Sequence, residues 1–294
     1  MEASIITEIF LPIALGVIML GMGLSLTVDD FKRIALYPKA TIIGLTCQLL
    51  VLPVVAFGML HLLQLPPELA VGVMLLAFCP GGATSNLLSN LARADIALSI
   101  TLTAISSTIT VFTIPYFVNL SMEYFIGEGK YVELPFLQAM LQILAVTIIP
   151  VSIGMILKSN YPNTAQRFVK PVKIASAIFI VILIFGVIIK ERNNIAGYFA
   201  QVGTVTFLIN ILILAIGFGV ARMFKLNHAQ SSAISIESGI QNGTLAIAIA
   251  TSTLLLNNTE MAIPAAVYSL IMFGTGGLAV FIFSRKKEVD ENPN

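Results

Sequence analysis

Charged residues are scarce in this chain. Only 11% of its 294 residues are Asp, Glu, Lys or Arg, and 57% are hydrophobic, whereas a soluble globular domain carries about 25% charged residues. So little charge cannot cover a water-exposed surface, which excludes a soluble fold. The sequence also contains no basic patch, and we expect no nucleic-acid partner.

Cysteine is equally rare. Cys47 and Cys79 both lie within apolar runs, which predicts buried inert thiols and not a disulfide framework. No nucleophile–base pair and no zinc-type spacing is present, so we expect a protein that is not an enzyme. The first apolar residues lack the basic region and cleavage site of a signal peptide; we interpret them as a retained first span.

Apolar residues are abundant, and they occur in runs of about 20, the length of a helix that crosses about 30 Å of hydrocarbon. This pattern predicts an all-α integral membrane protein of about nine transmembrane helices in a single membrane domain, residues 1–294. Short polar connectors separate the runs. The predicted spans are residues 5–27, 38–62, 69–92, 96–120, 134–157, 172–189, 197–221, 229–256 and 261–284.

The basic residues predict the orientation of these spans. Of sixteen Lys and Arg residues, thirteen fall on the side of the first connector and three on the other, with none inside a span. Basic residues accumulate on the cytoplasmic side. We therefore expect a multi-pass protein of the cell (inner) membrane, with its N-terminus outside and its C-terminus in the cytoplasm.

One acidic residue lies inside a predicted span. Of fifteen Asp and Glu residues, fourteen lie in connectors or near a surface, and Glu237 lies near the middle of the eighth span. A carboxylate at that depth costs about 2.5 kcal/mol or more, and no Lys or Arg is available to offset it. A bound cation or a proton would do so. The alternative is a permanently protonated glutamate in a helix–helix hydrogen bond.

Two spans carry polar, helix-breaking centres. Residues 79–86 of the third span read Cys-Pro-Gly-Gly-Ala-Thr-Ser-Asn, and residues 235–244 of the eighth read Ser-Ile-Glu-Ser-Gly-Ile-Gln-Asn-Gly-Thr. Proline removes a backbone donor and glycine permits non-helical backbone. Such backbone persists at membrane depth only where it is packed in protein or lines a cavity.

The two centres occupy corresponding places in antiparallel spans of the two halves of the chain. Interrupted segments so placed in inverted repeats mark the binding site of a transporter; the alternative is a pair of ordinary kinks. Ser99 and Thr103 share one face of the fourth span, and Gln48 lies midway along the second. With the two centres, these oxygens suit a hard cation.

These residues also carry a resemblance. Residues 79–86, followed by residues 91–93 and 97–99, resemble the bile acid:sodium symporter family, especially its bacterial members. Residues 236–242 resemble the second crossing motif of that family. The resemblance implies two unwound helices that cross in a core domain, about residues 38–120 and 197–256. A panel domain would comprise about residues 1–30, 134–190 and 260–284.

The resemblance further implies the sites and the activity. The first sodium site would comprise Ser85, Asn86, Ser99, Thr103 and Glu237. The second would take the side chains of Gln48, Glu237 and Gln241 and the backbone carbonyls of Ser238 and Ile240. The substrate-binding residues would be Thr84, Asn242 and Gly243. The expected function is symport of two Na⁺ with an organic anion, bile-acid-like or a smaller carboxylate, imported by alternating access. The alternative is a proton-coupled carrier, or a sodium-gated carrier or channel, of related fold.

Overall fold

A computed structural model describes residues 11–36, 38–130, 133–190 and 195–285. Within these ranges the chain is helical, and the only β-type pairing there is one isolated bridge. The helices in chain order are α1 (Leu11–Gly23), α2 (Val28–Leu36), α3 (Pro38–Thr46), α4 (Leu52–Leu63), α5 (Pro67–Phe78), α6 (Ala83–Leu91), α7 (Ile96–Phe125), α8 (Phe136–Val146), α9 (Ile148–Asn160), α10 (Pro162–Lys190), α11 (Ile195–Met223), α12 (His228–Gly239), α13 (Gly243–Thr251) and α14 (Ile263–Arg285).

Several of these helices are long and apolar enough to cross a membrane. In the part of the chain that the structure describes, five segments meet this condition: Pro38–Leu63, Ile96–Phe125, Phe136–Asn160, Gly197–Met223 and Glu260–Arg285. α1 and α5 are apolar but shorter. The described part of the chain is therefore helical and contains several helices suited to cross a membrane, while the count of nine spans stays a prediction. Residues 5–10 of the first predicted span lie outside the described ranges.

Two helices are interrupted where the sequence predicts, between α5 and α6 and between α12 and α13. The two interruptions run antiparallel and pair with each other. The N–H of Gly82 donates to the Ile240 carbonyl (2.9 Å), and the N–H of Asn242 donates to the Pro80 carbonyl (2.9 Å). Through these bonds the crossing chains satisfy backbone groups that neither broken helix can satisfy alone.

The second predicted span contains a widened turn that the sequence analysis did not anticipate. Between α3 and α4, residues Cys47–Val51 form a π-helical turn, in which the N–H of Leu52 donates to the Cys47 carbonyl. Pro53 follows at the start of α4 and has no N–H for an α-helical bond. This missing donor favours the π turn, and Gln48 lies on it.

Other departures concern the ends of helices. α10 begins at Pro162 and not at residue 172, because proline suits a first helical turn and the polar residues after it continue the helix beyond the apolar run. The fifth predicted span is interrupted at Thr147, between α8 and α9. The connector after the first span forms α2, whose first turn carries Asp29 and Asp30, charges that suit a helix N-terminus.

The interrupted helices lie in the interior of the helical assembly. α12 packs along α11, α5 packs along α7, and α1 packs against α9 and α10. Every residue from 231 to 247 is buried. The division into panel and core domains stays a prediction, although α14, assigned to the panel, packs more extensively against α11 than against any other described helix.

Candidate functional site

Glu237 lies at the centre of the candidate site, near the end of α12, and its residue is only 1% exposed. Ser99 Oγ donates to Glu237 Oε2 (2.8 Å), and Thr103 Oγ1 donates to Oε1. The two donors stand one turn apart on the same face of α7. One helix face therefore supplies a hydroxyl to each oxygen of the carboxylate.

α6 completes this group of oxygens. Asn86 Oδ1 lies 2.9 Å from Ser99 Oγ and 3.4 Å from Thr103 Oγ1. Ser85 Oγ donates to the Gly82 carbonyl (2.6 Å) beside the same carboxylate. The structure thus brings together all five residues expected at the first sodium site. We call this set the oxygen cluster: Ser85, Asn86, Ser99, Thr103 and Glu237.

The chemistry of the oxygen cluster suits a hard monovalent cation. Its members offer hydroxyl, amide and carboxylate oxygens, the ligands that hard cations prefer. Within the described ranges no group of three or more His, Cys, Asp or Glu residues could hold a metal ion. The ion pair found there joins Lys32 to Asp29 on exposed α2. Among the described residues, the Glu237 carboxyl group is thus paired with hydroxyl groups and not with a basic side chain.

Two glutamines lie next to this cluster with unpaired amide atoms. Gln48 is fully buried, and neither its Oε1 nor its Nε2 has a hydrogen-bond partner among the described residues. Gln241 donates through Nε2 to the Ser238 carbonyl (2.7 Å), but its Oε1 has no partner in the same part of the chain. A buried amide oxygen left unpaired costs about 1–3 kcal/mol. At this crossing the described residues therefore provide no donor for either of these two oxygens.

Gly81 shows how closely these side chains converge. A β-carbon added at Gly81 would lie 3.0 Å from Gln48 Nε2 and 2.9 Å from Glu237 Cδ, and it would overlap the carboxylate oxygen. Only glycine leaves room for both side chains against the unwound backbone. The carbonyls of Ser238 and Ile240 accept hydrogen bonds from Gln241 Nε2 and the Gly82 N–H. Their role as ion ligands stays a prediction.

The residues expected to bind substrate line a cleft beside the crossing. This cleft is narrow, with a cavity volume of about 30 Å³. Asn242 caps α13, since its Oδ1 accepts from the N–H of Leu245 (3.0 Å). The positive end of the α13 dipole therefore points toward this cleft. Its lining residues are Ile18, Met19, Gly82, Thr84, Gln241, Asn242, Gly243, Thr244, Ser269, Met272 and Phe273.

Sequence reasoning missed the contribution of α14 to this cleft. Ser269, Met272 and Phe273 carry no motif, and an isolated serine in an apolar span gives no signal. Only the structure shows that Ser269 Oγ occupies the space that a β-carbon at position 243 would need, which glycine leaves free. Ser89 was also missed; its hydroxyl donates to Ser99 Oγ (3.2 Å).

Known proteins resemble this chain along most of its length. Residues 12–198 match the model of the Sodium Bile acid symporter family. The uncharacterized sodium-dependent transporter YocS of Bacillus subtilis is 32% identical, over 94% of this chain and 84% of that protein. The probable sodium/metabolite cotransporter BASS1, chloroplastic, of Arabidopsis thaliana is 32% identical, over 93% of this chain and 66% of that protein.

The human ileal sodium/bile acid cotransporter is more distant, at 26% identity over 82% of this chain and 69% of its own length. The resemblance predicted from the two crossing motifs is thereby confirmed. The family and these relatives are transporters and not enzymes. The chain belongs to the sodium bile acid symporter family.

Proposed function

We propose that this protein is a sodium-coupled secondary active symporter that imports an organic anion by alternating access. The observation that carries this proposal is the environment of Glu237. This residue is a buried carboxylate at a helix crossing, and hydroxyl groups, not a basic side chain, are its hydrogen-bonding partners. Such a group at membrane depth is an expected cation or proton site. The sodium dependence in the names of the relatives favours Na⁺.

The two glutamines favour sodium over a proton. A protonated Glu237 would need one acceptor, and the oxygen cluster would supply it. Protonation of Glu237 would leave the amide oxygens of Gln48 and Gln241 unpaired, as they are among the described residues. A second cation bound by these oxygens, by Glu237 and by the carbonyls of Ser238 and Ile240 would satisfy them. We therefore propose two sodium sites that share the Glu237 carboxylate, the first being the oxygen cluster.

The adjacent cleft would hold the substrate. Asn242, Gly243 and Thr84 lie at the N-termini of the two half-helices, where backbone dipoles favour an anionic head group. Ile18, Met19, Met272 and Phe273 line the same cleft and would contact an apolar body. These features fit an organic carboxylate, bile-acid-like or smaller. Gln241 lines the cleft, and its amide also donates to the Ser238 carbonyl at the proposed second ion site. Binding of the ion and binding of the substrate would therefore be coupled through Gln241 at the crossing.

Sodium-specific stabilisation of the purified protein tests this proposal. A ligand that binds only the folded state raises its stability. We expect NaCl to raise Tm more than KCl or choline chloride at equal ionic strength and constant pH. Sodium-driven uptake of carboxylates into liposomes is the second measurement. Equal stabilisation by Na⁺ and K⁺, with uptake driven by a proton gradient alone, would replace the sodium symporter by a proton-coupled carrier.

A further inference from the structure

The carbonyl of Gly239 lies where α12 ends, and its α-helical hydrogen bond is missing. The N–H four residues later, that of Gly243, donates instead to the Gln241 carbonyl (3.0 Å). A backbone carbonyl left unpaired at membrane depth is costly. The chain that leaves α12 here therefore needs a donor from another helix.

Two side chains from two different helices supply that donor. Asn210 Nδ2 on α11 donates to the Gly239 carbonyl (2.8 Å), and Tyr268 Oη on α14 donates to the same oxygen (2.9 Å). Asn210 and Tyr268 are 0% and 2% exposed. Two donors occupy both lone pairs of a carbonyl. This oxygen is therefore fixed in direction and closed to a cation.

The two donors are themselves held in place. Asn210 Nδ2 also donates to Tyr268 Oη (2.9 Å), and Thr275 Oγ1 donates to Asn210 Oδ1 (2.5 Å). Both N–H groups and the oxygen of the Asn210 amide are in use, which leaves that amide one orientation. A fully satisfied buried network of this kind is rigid. We call Asn210, Tyr268 and Thr275 the Gly239 clamp.

The clamp acts on the backbone that is proposed to bind the second ion. Gly239 stands between Ser238 and Ile240, whose carbonyls are the proposed ligands. Because each peptide unit is planar, fixing the Gly239 carbonyl fixes the whole unit between Gly239 and Ile240. The units that carry the Ser238 and Ile240 carbonyls are attached to the two ends of this fixed unit. α11 confines the same turn from another direction: a β-carbon at Gly239 would lie 2.5 Å from Leu214 Cδ2.

The same clamp joins the ion site to the cleft. Tyr268 and Thr275 belong to α14, and so do Ser269 and Met272, which line the cleft. We infer that the Gly239 clamp positions the backbone ligands of the second sodium site, sets the affinity of that site, and ties it to one wall of the cleft. This inference rests on the proposed function. The clamp residues are positioning residues, since none of them would touch the ion.

Tyr268→Phe and Thr275→Val test this inference. The first removes one donor to Gly239 and keeps the ring, and the second removes the hydroxyl that fixes the Asn210 amide. We expect each variant to raise the Na⁺ concentration for half-maximal stabilisation about fivefold, the factor that corresponds to about 1 kcal/mol. The measurement is Tm against NaCl, with choline chloride keeping ionic strength constant.

Thr206→Val is the matched control. Thr206 is also a buried hydroxyl on α11, but it donates only to carbonyls of its own helix, those of Val202 and Gly203. We expect this variant to lower Tm in choline chloride without changing the half-saturating Na⁺ concentration. If the clamp were merely structural, Tyr268→Phe would behave in the same way.

Double variants assign the effect to one site. In a Gln241→Ala background, where the second site is already damaged, Tyr268→Phe should raise the half-saturating Na⁺ concentration little further. In a Ser99→Ala background it should raise that concentration by its full factor. Equal effects in both backgrounds, or unchanged half-saturation in both clamp variants, would overturn the inference. A wild-type protein that Na⁺ does not stabilise would instead overturn the proposed function.

Discussion

At the scale of single residues, the hydroxyl donors around Glu237 have a second place for their protons. Thr103 Oγ1 donates to the carboxylate and also lies 3.0 Å from the Ser99 carbonyl, one turn earlier in α7. When a hydroxyl group donates its proton to a carbonyl of its own helix, the lone pairs on its oxygen stay available to another group. If the proposed first sodium site is correct, Thr103 would change from a donor to the carboxyl group into a ligand for the cation by turning its hydroxyl alone.

Glu237→Gln removes the charge and keeps the shape of this side chain. One unit charge about 4 Å from a cation is worth about 4 kcal/mol at an effective dielectric constant of 20. We expect Na⁺ affinity to fall at least about 100-fold and coupled uptake to be lost. Thermal stability in choline chloride should be kept or increased, because an uncompensated buried charge disappears. Sodium titrations of Tm and liposome uptake measure both effects.

Glu123→Gln is the control for this substitution, since Glu123 is exposed near the end of α7. It should leave sodium binding and uptake unchanged. Ser99→Ala and Thr103→Ala, which each remove one neutral ligand, should weaken Na⁺ binding less than Glu237→Gln. Uptake that persists in Glu237→Gln at unchanged sodium affinity would refute the assignment of this carboxylate to both ions.

Gly81→Ala tests the convergence of side chains at the crossing. The added methyl group would strike the Glu237 carboxylate and the Gln48 amide, and such overpacking costs about 1–3 kcal/mol. We expect a lower Tm and no Na⁺-dependent increase in it. Gly58→Ala provides the comparison, because no atom lies within 4 Å of a β-carbon there. A Gly81→Ala protein that sodium stabilises normally would contradict the proposed geometry.

At the scale of secondary-structure elements, α12 and α13 allow two N-caps to be compared. Asn242 caps α13 beside the cleft, and Asn227 caps α12 at its other end, by accepting from the N–H of Gln230 (2.8 Å). Each Asn→Ala change should cost about 1 kcal/mol of stability. Only Asn242→Ala should also weaken anion binding, by about fivefold, because its amide lines the cleft.

The measurement for this pair is anion binding at saturating Na⁺, by calorimetry or thermal shift. Sodium binding should change little in either variant. Equal anion affinities for Asn242→Ala and Asn227→Ala would exclude the α13 N-terminus as the head-group site. A neutral analogue that binds as tightly as its carboxylic acid would exclude it as well.

The elements that sequence reasoning predicted best were those with local causes. Pro80 and the glycines beside it predict the interruption between α5 and α6 from backbone chemistry alone. Glu237, with no basic residue at its depth, predicts a site. The Gly239 clamp could not be found in this way, because Asn210 and Tyr268 are single polar residues in separate apolar spans. Their partner is a backbone carbonyl, which leaves no mark in a sequence.

Helix ends were predicted less well than breaks. The apolar run that predicts residues 172–189 ends where polar residues begin, but helical hydrogen bonding continues through polar residues, and α10 starts at Pro162. Pro53 favours the π turn at Cys47–Val51. The sequence did not predict this turn, because the effect of a proline in a membrane helix depends on whether neighbouring groups pair with the backbone carbonyl that the proline leaves free.

At the scale of the whole molecule, the proposed stoichiometry makes transport electrogenic. Two Na⁺ and one monovalent anion carry one net positive charge per cycle. A membrane potential of 100 mV then contributes about 2.3 kcal/mol. We expect uptake into liposomes to rise when the interior is made negative with a potassium gradient and valinomycin. Glu237→Gln should show no such rise. Sodium-dependent uptake that ignores the potential would indicate one Na⁺ per anion.

The pairing of the two interruptions also bears on how the protein is made. Ser99 and Glu237 are 138 residues apart, an interval of roughly 7–28 s at about 5–20 residues per second of translation. During that time the first half of the chain holds only Ser85, Asn86, Ser99 and Thr103 of the oxygen cluster. Thr103 can then donate only within its own half, as it does to the Ser99 carbonyl. Completion of the oxygen cluster is therefore a late event in biogenesis, and until residue 237 is made its hydroxyl groups depend on partners in the first half of the chain.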